Sequence, residues 1–343
     1  MNCVTRRLPA EWEEQDGVIM AWPHAGTEWI DLPAVQTVTM DIAGEITRRE
    51  RLLMVAPDVE EAGKSMADAG LQFDRISLYE IETNDTWARD FGPLTVFEGE
   101  KPFILDFGFN GWGLKFPAYF DNQITQKLAG RGAFCKTPLE IPGFILEGGS
   151  IESDGKGTIL TTSTCLLSPN RNSHLSRREI EDFLGNVLGA CRVLWIENGQ
   201  LAGDDTDSHV DTLVRFCPDD VIIYTACDDP GDEHFEPLKA MAAELESFRT
   251  VDGRPYKLFA LPWAEEVRDE DGRRLPATYA NFLIINGAVL VPMYGTSKDR
   301  AAIDVVRRVF PDRRVSGINC LPILTGHGSL HCITMQLPKG VLG

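Results

Sequence analysis

Cys332 ends the loop Gly326-His327-Gly328-Ser329-Leu330-His331 close to the C-terminus. Glycines let a backbone approach a ligand closely, and a thiol delivered by such a loop is a nucleophile when it is accessible and has polar neighbours. The competing expectation is that Cys332 opens a buried strand running to Leu337, because a free cysteine packs as a small hydrophobe. Three other polar clusters bear on the choice. Asn84–Pro93 carries Trp87, Arg89 and Asp90 ahead of Gly92-Pro93. Glu147 stands between the apolar Ile145-Leu146 and Gly148-Gly149, where burying a carboxylate requires a partner. Asp204-Asp205-Thr206-Asp207-Ser208-His209-Val210-Asp211 places residues 205, 207, 209 and 211 on one side if the backbone is extended. Four ionisable groups on one face repel unless a cation neutralises them, and the spacing of a calcium-binding EF-hand loop is missing.

Brought together, these clusters suggest one chemistry. A thiolate attacks an electrophilic carbon while His209 exchanges protons with the leaving group and with water. A cysteine protease needs only one group to orient its histidine, so Asp90, Asp211 and Glu147 are too many acids for that reaction. They make sense around a planar cation rich in N–H donors, and a guanidinium fits, since carboxylates bind it bidentately. Attack at its central carbon with loss of ammonia is the implied reaction.

These loops need a scaffold. Apolar runs predict strands at Val18–Trp22, Leu52–Ala56, Ile76–Ile81, Phe103–Phe107, Thr158–Thr162, Val193–Ile196, Val221–Thr225, Leu258–Leu261, Phe282–Ile285 and Ala288–Pro292. Amphipathic segments predict helices over 34–50, 58–70, 119–128, 235–248 and 298–310, and over 176–189, where Ser176-Arg177-Arg178-Glu179 is a capping box. Setting the first aside, helix starts recur roughly every 60 residues, as in a repeat architecture. No low-complexity linker divides the chain, and no glycine-rich nucleotide loop follows an early strand. One α/β domain spanning residues 1–343, built from repeated strand–helix–strand units around a centre, is the expected organisation; a two-domain doubly wound protein is the alternative.

The formal net charge of −19 repels nucleic acid and anionic membranes and favours small cationic partners. Eight cysteines without a CxxC pair argue against a disulfide framework or a structural zinc site and fit a reducing cytoplasm. Met1–Pro9 shows no secretory apolar region, and no apolar run approaches a membrane span.

The chain resembles the agmatine deiminase family of the guanidino-group-modifying superfamily, which also holds a bacterial type of peptidylarginine deiminase. The resemblance runs from Glu11-Trp12 and Ala21-Trp22-Pro23 through Asn84–Pro93, Glu147–Ser150 and Asp205–Asp211. It continues through Tyr279-Ala280-Asn281-Phe282 with Val291-Pro292 to Gly328–Thr334. It implies a five-fold α/β-propeller (pentein-type) with the site on its axis. By the same resemblance Cys332 is the nucleophile forming a thiouronium, and His209 is the acid and base. Asp90 and Asp211 grip the guanidinium, and Glu147 orients His209 and contacts substrate. No metal or organic cofactor is implied. The family's usual Gly-Gly-Gly-Asn-Ile-His-Cys is here Gly326-His327-Gly328-Ser329-Leu330-His331-Cys332, and Ser208 stands where glycine is common.

Agmatine, a guanidinium with a distal ammonium, is the expected substrate, with Trp87, Arg89, Asp204, Asp205, Asp207, Gly328 and Ser329 as further contacts. Peptidylarginine is the alternative. A non-catalytic cation-binding propeller and a thiol amidohydrolase are rivals. His331, next to Cys332, is expected to fix the loop rather than act as base. No nucleic acid or membrane partner is expected, and homo-oligomerisation stays open.

Overall fold

The computed structural model describes residues 6–27 and 29–343; Met1–Thr5, part of the stretch read for export signals, lie outside the described residues. The chain forms a mixed α/β fold with five separate sheets. One motif recurs in all of them: a strand pairs antiparallel with a second, which pairs parallel with a third. Leu94–Glu98, Lys101–Leu105 and Leu139–Glu140 make one such set, joined at its edge by Arg6–Arg7. Ile151–Ser153, Thr158–Thr162 and Arg192–Ile196 make the second. Val214–Cys217, Val221–Thr225 and Lys257–Leu261 make the third. Leu283–Ile285, Ala288–Met293 and Arg314–Asn319 make the fourth. In the fifth, the C-terminal strand Met335–Pro338 pairs with Gln15–Ala21 near the other chain end, and Arg51–Ala56 and Ile76–Glu80 follow in parallel.

All ten predicted strands and all six predicted helices are present, with shifted ends. The second strands, such as Thr158–Thr162 and Ala288–Met293, are buried on both faces, so they read as continuous apolar runs. Four of the unpredicted strands, Leu94–Glu98, Ile151–Ser153, Val214–Cys217 and Arg314–Asn319, carry polar residues or glycine that break such a run. The predicted capping box at Ser176 is formed, and Gly189 ends that helix in the left-handed region. No helix among the described residues is long and apolar enough to cross a membrane.

Two expectations are corrected. Cys332 does not open a strand: it lies in the turn Leu330–Ile333, and the strand begins at Met335. The segment 205–211 is not extended. The Asp204 carboxylate accepts from the backbone N–H groups of Thr206 at 3.2 Å and Ser208 at 2.6 Å, which bends the chain. Asp207 and Ser208 then take φ of 68° and 64°, and a short 3-10 turn, Val210–Thr212, follows.

Candidate active site

Each sheet contributes to the site from the same place, the segment leading into its first strand. Asp90 lies on the helical turn Ala88–Phe91 before Leu94, and Glu147 sits four residues ahead of Ile151. His209 and Asp211 precede Val214, Asn281 precedes Leu283, and Cys332 precedes Met335. The five strand pairs therefore act as posts that hold five short loops.

Cys332, 6 % exposed, lines a cavity of about 390 Å³. His209, Asp90, Asp204, Asp205, Asp85, Trp29, Trp87, Trp112 and Gly328 line it too. The thiol donates to Oδ1 of Asn281 at 3.3 Å and lies 3.9 Å from Oδ2 of Asp211. Burial, followed by the charges of Asp211 and Asp90, pushes its pKa well above the usual thiol value, so the empty site holds a neutral S–H. Asp90 accepts the Gly149 N–H at 3.0 Å on Oδ1 and the Trp112 indole N–H at 2.9 Å on Oδ2. Burial raises the Asp90 pKa despite His209, whose Nδ1 lies 3.5 Å from Oδ1. Burial works against the His209 cation, but Asp90, Cys165 and Glu147 outweigh it and raise this pKa well above the usual histidine range. The site thus disfavours the Cys332 thiolate and favours the His209 imidazolium, which suits the histidine to donate a proton.

Asp211 is fully buried beside the thiol and is not among the cavity-lining residues. Burial would raise its pKa, yet the bond from His331 and the charges of His331, His209 and Arg215 hold it low. Among the described residues, its Oδ1 and the His209 Nε2 are buried without a hydrogen-bond partner. Gly149 has to be glycine: a Cβ there would come 2.7 Å from the His209 ring and 2.8 Å from Asp90. A Cβ at Gly328 would collide with the Trp87 ring, which packs 5.4 Å from Trp29. Ser208 and His327, which depart from the usual glycines, take φ of 64° and 67°, the region where glycine is free of strain.

Other predicted residues lie elsewhere. Glu147 is fully buried and does not line the cavity; Arg171 Nε donates to both its oxygens at 2.9 Å, so the expected substrate contact is absent. It does neighbour His209, since donor atoms of Glu147, Cys165 and His209 lie within 4.8 Å of one another. Asp207 turns away and is neutralised by Arg171 at 2.6 Å and Lys115 at 2.7 Å. Arg89 lies beneath the thiol loop: its Nη1 donates to Gln336 at 2.5 Å and its backbone N–H to the Cys332 carbonyl at 3.1 Å. Ser329 meets the Tyr294 hydroxyl at 2.9 Å behind the loop. His331 fixes the loop as expected, with Nδ1 2.7 Å from Asp211 and Nε2 2.7 Å from Glu11.

Asn281 and Arg171 are the functional residues that sequence reasoning passed over. A lone amide beside the apolar Phe282–Ile285, which has to satisfy its polar atoms, was the available sign for Asn281. Two buried trios, Glu147/Cys165/His209 and Glu11/Glu152/His331, have metal-ligand composition. In each, an arginine, Arg171 or Arg215, already supplies the positive charge.

A buried thiol, a histidine and several carboxylates are thus gathered around one cavity. Residues 7–338 match the model of the Porphyromonas-type peptidyl-arginine deiminases, and the chain belongs to that family. A Pectobacterium atrosepticum protein named "Putative agmatine deiminase" is 35 % identical over 96 % of this chain and 94 % of its own. The structure of the "Putative Arginine Deiminase" from Porphyromonas gingivalis superposes with a TM-score of 0.93 at 48 % identity, covering 98 % of this chain and 100 % of that one. C. jejuni agmatine deiminase, in a cysteine-to-serine form with substrate bound, gives 0.91 at 35 % identity, covering 98 % of this chain and 97 % of that one. The protein is a hydrolase acting on guanidino C–N bonds by deimination.

Proposed function

We propose that the substrate is agmatine, hydrolysed to N-carbamoylputrescine and ammonia. The observation that carries this reading is a cavity lined by one thiol and four acids, Asp90 and the further trio Asp85, Asp204 and Asp205. Burial pushes Asp85 up to about 6; burial and then the charge of Asp204 push Asp205 up to about 6. A substrate with a cation at each end relieves both groups of acids, and Trp29, Trp87 and Phe116 suit the methylenes between.

The guanidinium meets Asp90 and the open Oδ1 of Asp211. Its charge offsets these acids and lets the Cys332 thiol ionise, its proton passing to solvent, where it offsets the one that converts the released ammonia to ammonium. Sγ attacks the guanidinium carbon, His209 gives its proton to the departing nitrogen, the C–N bond breaks, and ammonia leaves a thiouronium on Cys332. His209 then takes a proton from water, whose oxygen attacks the same carbon. Breaking the S–C bond returns the thiol and releases the ureido product.

The same reading takes residues 1–343 as one catalytic domain, with the five sheets as blades of a propeller around the site. It places the enzyme in the cytoplasm, in keeping with free thiols at Cys135, Cys165, Cys217, Cys227, Cys320 and Cys332. Peptidylarginine is the second reading. Exposed Arg273 lines the cavity beside Ile30, which is 71 % exposed; a cation there suits a peptide carbonyl or carboxylate better than an ammonium. Ammonia release from agmatine, free arginine and an arginine peptide separates the two: the highest kcat/KM for agmatine is expected, and preference for the peptide would overturn the assignment.

A further inference from the structure

Asp211 is held from behind. Its Oδ2 accepts from His331 Nδ1 at 2.7 Å and from Asn281 Nδ2 at 3.2 Å, which leaves only Oδ1 open. His331 is gripped in turn, with Nε2 2.7 Å from Glu11 Oε2 and 3.0 Å from Arg215 Nη2. Both of those groups are anchored elsewhere. Glu11 Oε1 accepts the Ile284 N–H at 2.8 Å, and Arg215 Nε donates to Glu152 at 2.5 Å. Below the loop, Arg89 Nε lies 3.4 Å from the His331 carbonyl.

The ring can be neutral, with Nε2 accepting from Arg215, or charged, with Nε2 donating to Glu11. In both states Nδ1 faces a carboxylate oxygen, which offers only lone pairs, so Nδ1 carries a proton. The donation to Asp211 therefore survives either state. A carboxylate free to rotate would present its oxygens in many planes, whereas a planar cation needs one fixed plane for a good N–H···O bond.

We infer that His331, backed by Glu11 and Arg215, is a positioning residue for substrate binding: it latches Oδ2 of Asp211 so that Oδ1 alone is offered to the guanidinium. This rests on the reading of Asp211 as a substrate carboxylate. The loop that delivers the nucleophile thus also delivers the latch, one residue earlier. Asp90 is held differently, by the Gly149 N–H and the Trp112 indole N–H rather than by a histidine backed by charged groups, and its pKa is raised where that of Asp211 is lowered.

Because Asp211 binds ground state and transition state alike, loss of the latch should act on KM. His331→Ala is expected to raise KM for agmatine about thirtyfold with kcat within about threefold. His331→Asn, whose side-chain N–H reaches the place of Nδ1, should recover KM to within about threefold of wild type. In a Cys332→Ser background, His331→Ala should weaken binding of a non-reactive alkylguanidinium by the same factor, measured by calorimetry. Alkylation of Cys332 in the empty enzyme should change by less than about twofold, showing that the loop stays in place. A fall in kcat with KM unchanged, a changed alkylation rate, or no recovery in His331→Asn would overturn the latch. Should His331→Ala fail to fold, His331→Gln decides instead: its amide overreaches Asp211 by one methylene, so the same rise in KM is expected. Wild-type enzyme inert towards every guanidino compound would sink the reading of the site, and the binding measurement would still judge the latch.

Discussion

Two clusters of buried charge meet at Asp211, and they are built on opposite plans. In the rear cluster, all four carboxylate oxygens of Glu11 and Glu152 accept hydrogen bonds, from Arg215, His331 and the backbone N–H groups of Ile284 and Phe216. In the front cluster, Asp90 and Asp211 flank the Cys332 thiol with only histidine rings, His209 and His331, as ion-pair partners among the described residues, and one oxygen of Asp211 has no hydrogen-bond partner there. The rear cluster is closed and holds the fold. The front one is left short of positive charge, and this shortage is what selects a guanidinium. The same carboxylates serve as structure or as binding site according to whether an arginine faces them.

The largest effect should come from the front. Cys332→Ala should lower ammonia release at least about 10⁴-fold while thermal unfolding stays cooperative. A slow enzyme retaining a tenth of its activity would break the assignment of the nucleophile. Next comes a contrast in stability. Arg215→Met strands Glu11 and Glu152 in the interior and should cost about 3–5 kcal/mol in urea unfolding. Asp90→Asn should change stability by no more than about 1 kcal/mol, because burial already penalises the charged carboxylate and the amide oxygen can keep one of its two N–H bonds, yet lower kcat/KM by about 10²-fold or more. Equal stability losses in the two variants would erase the distinction between the clusters.

A smaller effect concerns pH. Burial raises the pKa of Asp90 in the empty site, and a guanidinium requires the ionised carboxylate. Affinity should therefore be full above that raised pKa and fall as pH drops through it, in the Cys332→Ser protein where no reaction intervenes. Stability of the empty protein follows the opposite course: unfolded Asp90 ionises at its usual lower pKa, so the folded state loses stability as pH rises from there to the raised value. In wild type, a non-reactive guanidinium should shift Cys332 alkylation to lower pH; an unchanged profile would refute substrate-assisted ionisation. The smallest effect is expected at the mouth, where Asp205→Asn should raise KM for agmatine about threefold and leave a singly charged alkylguanidine unaffected.

The sequence pattern revealed much of the front cluster and little of the rear one. Cys332, His209 and Asp90 were legible because reactive types stood beside glycines and turns, and all three line the cavity. Strands such as Arg51–Ala56, Thr158–Thr162 and Ala288–Met293 were legible because burial on both faces leaves an unbroken run. Asp207 misled because spacing does not reveal that Asp204 bends the chain and that Arg171, thirty-six residues earlier, captures the carboxylate. Arg89 and Ser329 misled in the same way, as neighbours in sequence of site residues whose side chains turn behind the loop. The latch on Asp211 joins Glu11 to His331 across 320 positions, and no local pattern encodes a contact at that range.

The closing strand Met335–Pro338 adds a matter of timing. It pairs with Gln15–Ala21, so the last strand of the chain completes a sheet begun by one of the earliest, and the thiol hangs immediately before it. Asp90, Glu147, His209 and Asp211 all leave the ribosome at least 120 residues before Cys332, so on the proposed reading the site receives its acids and its histidine first and its thiol afterwards.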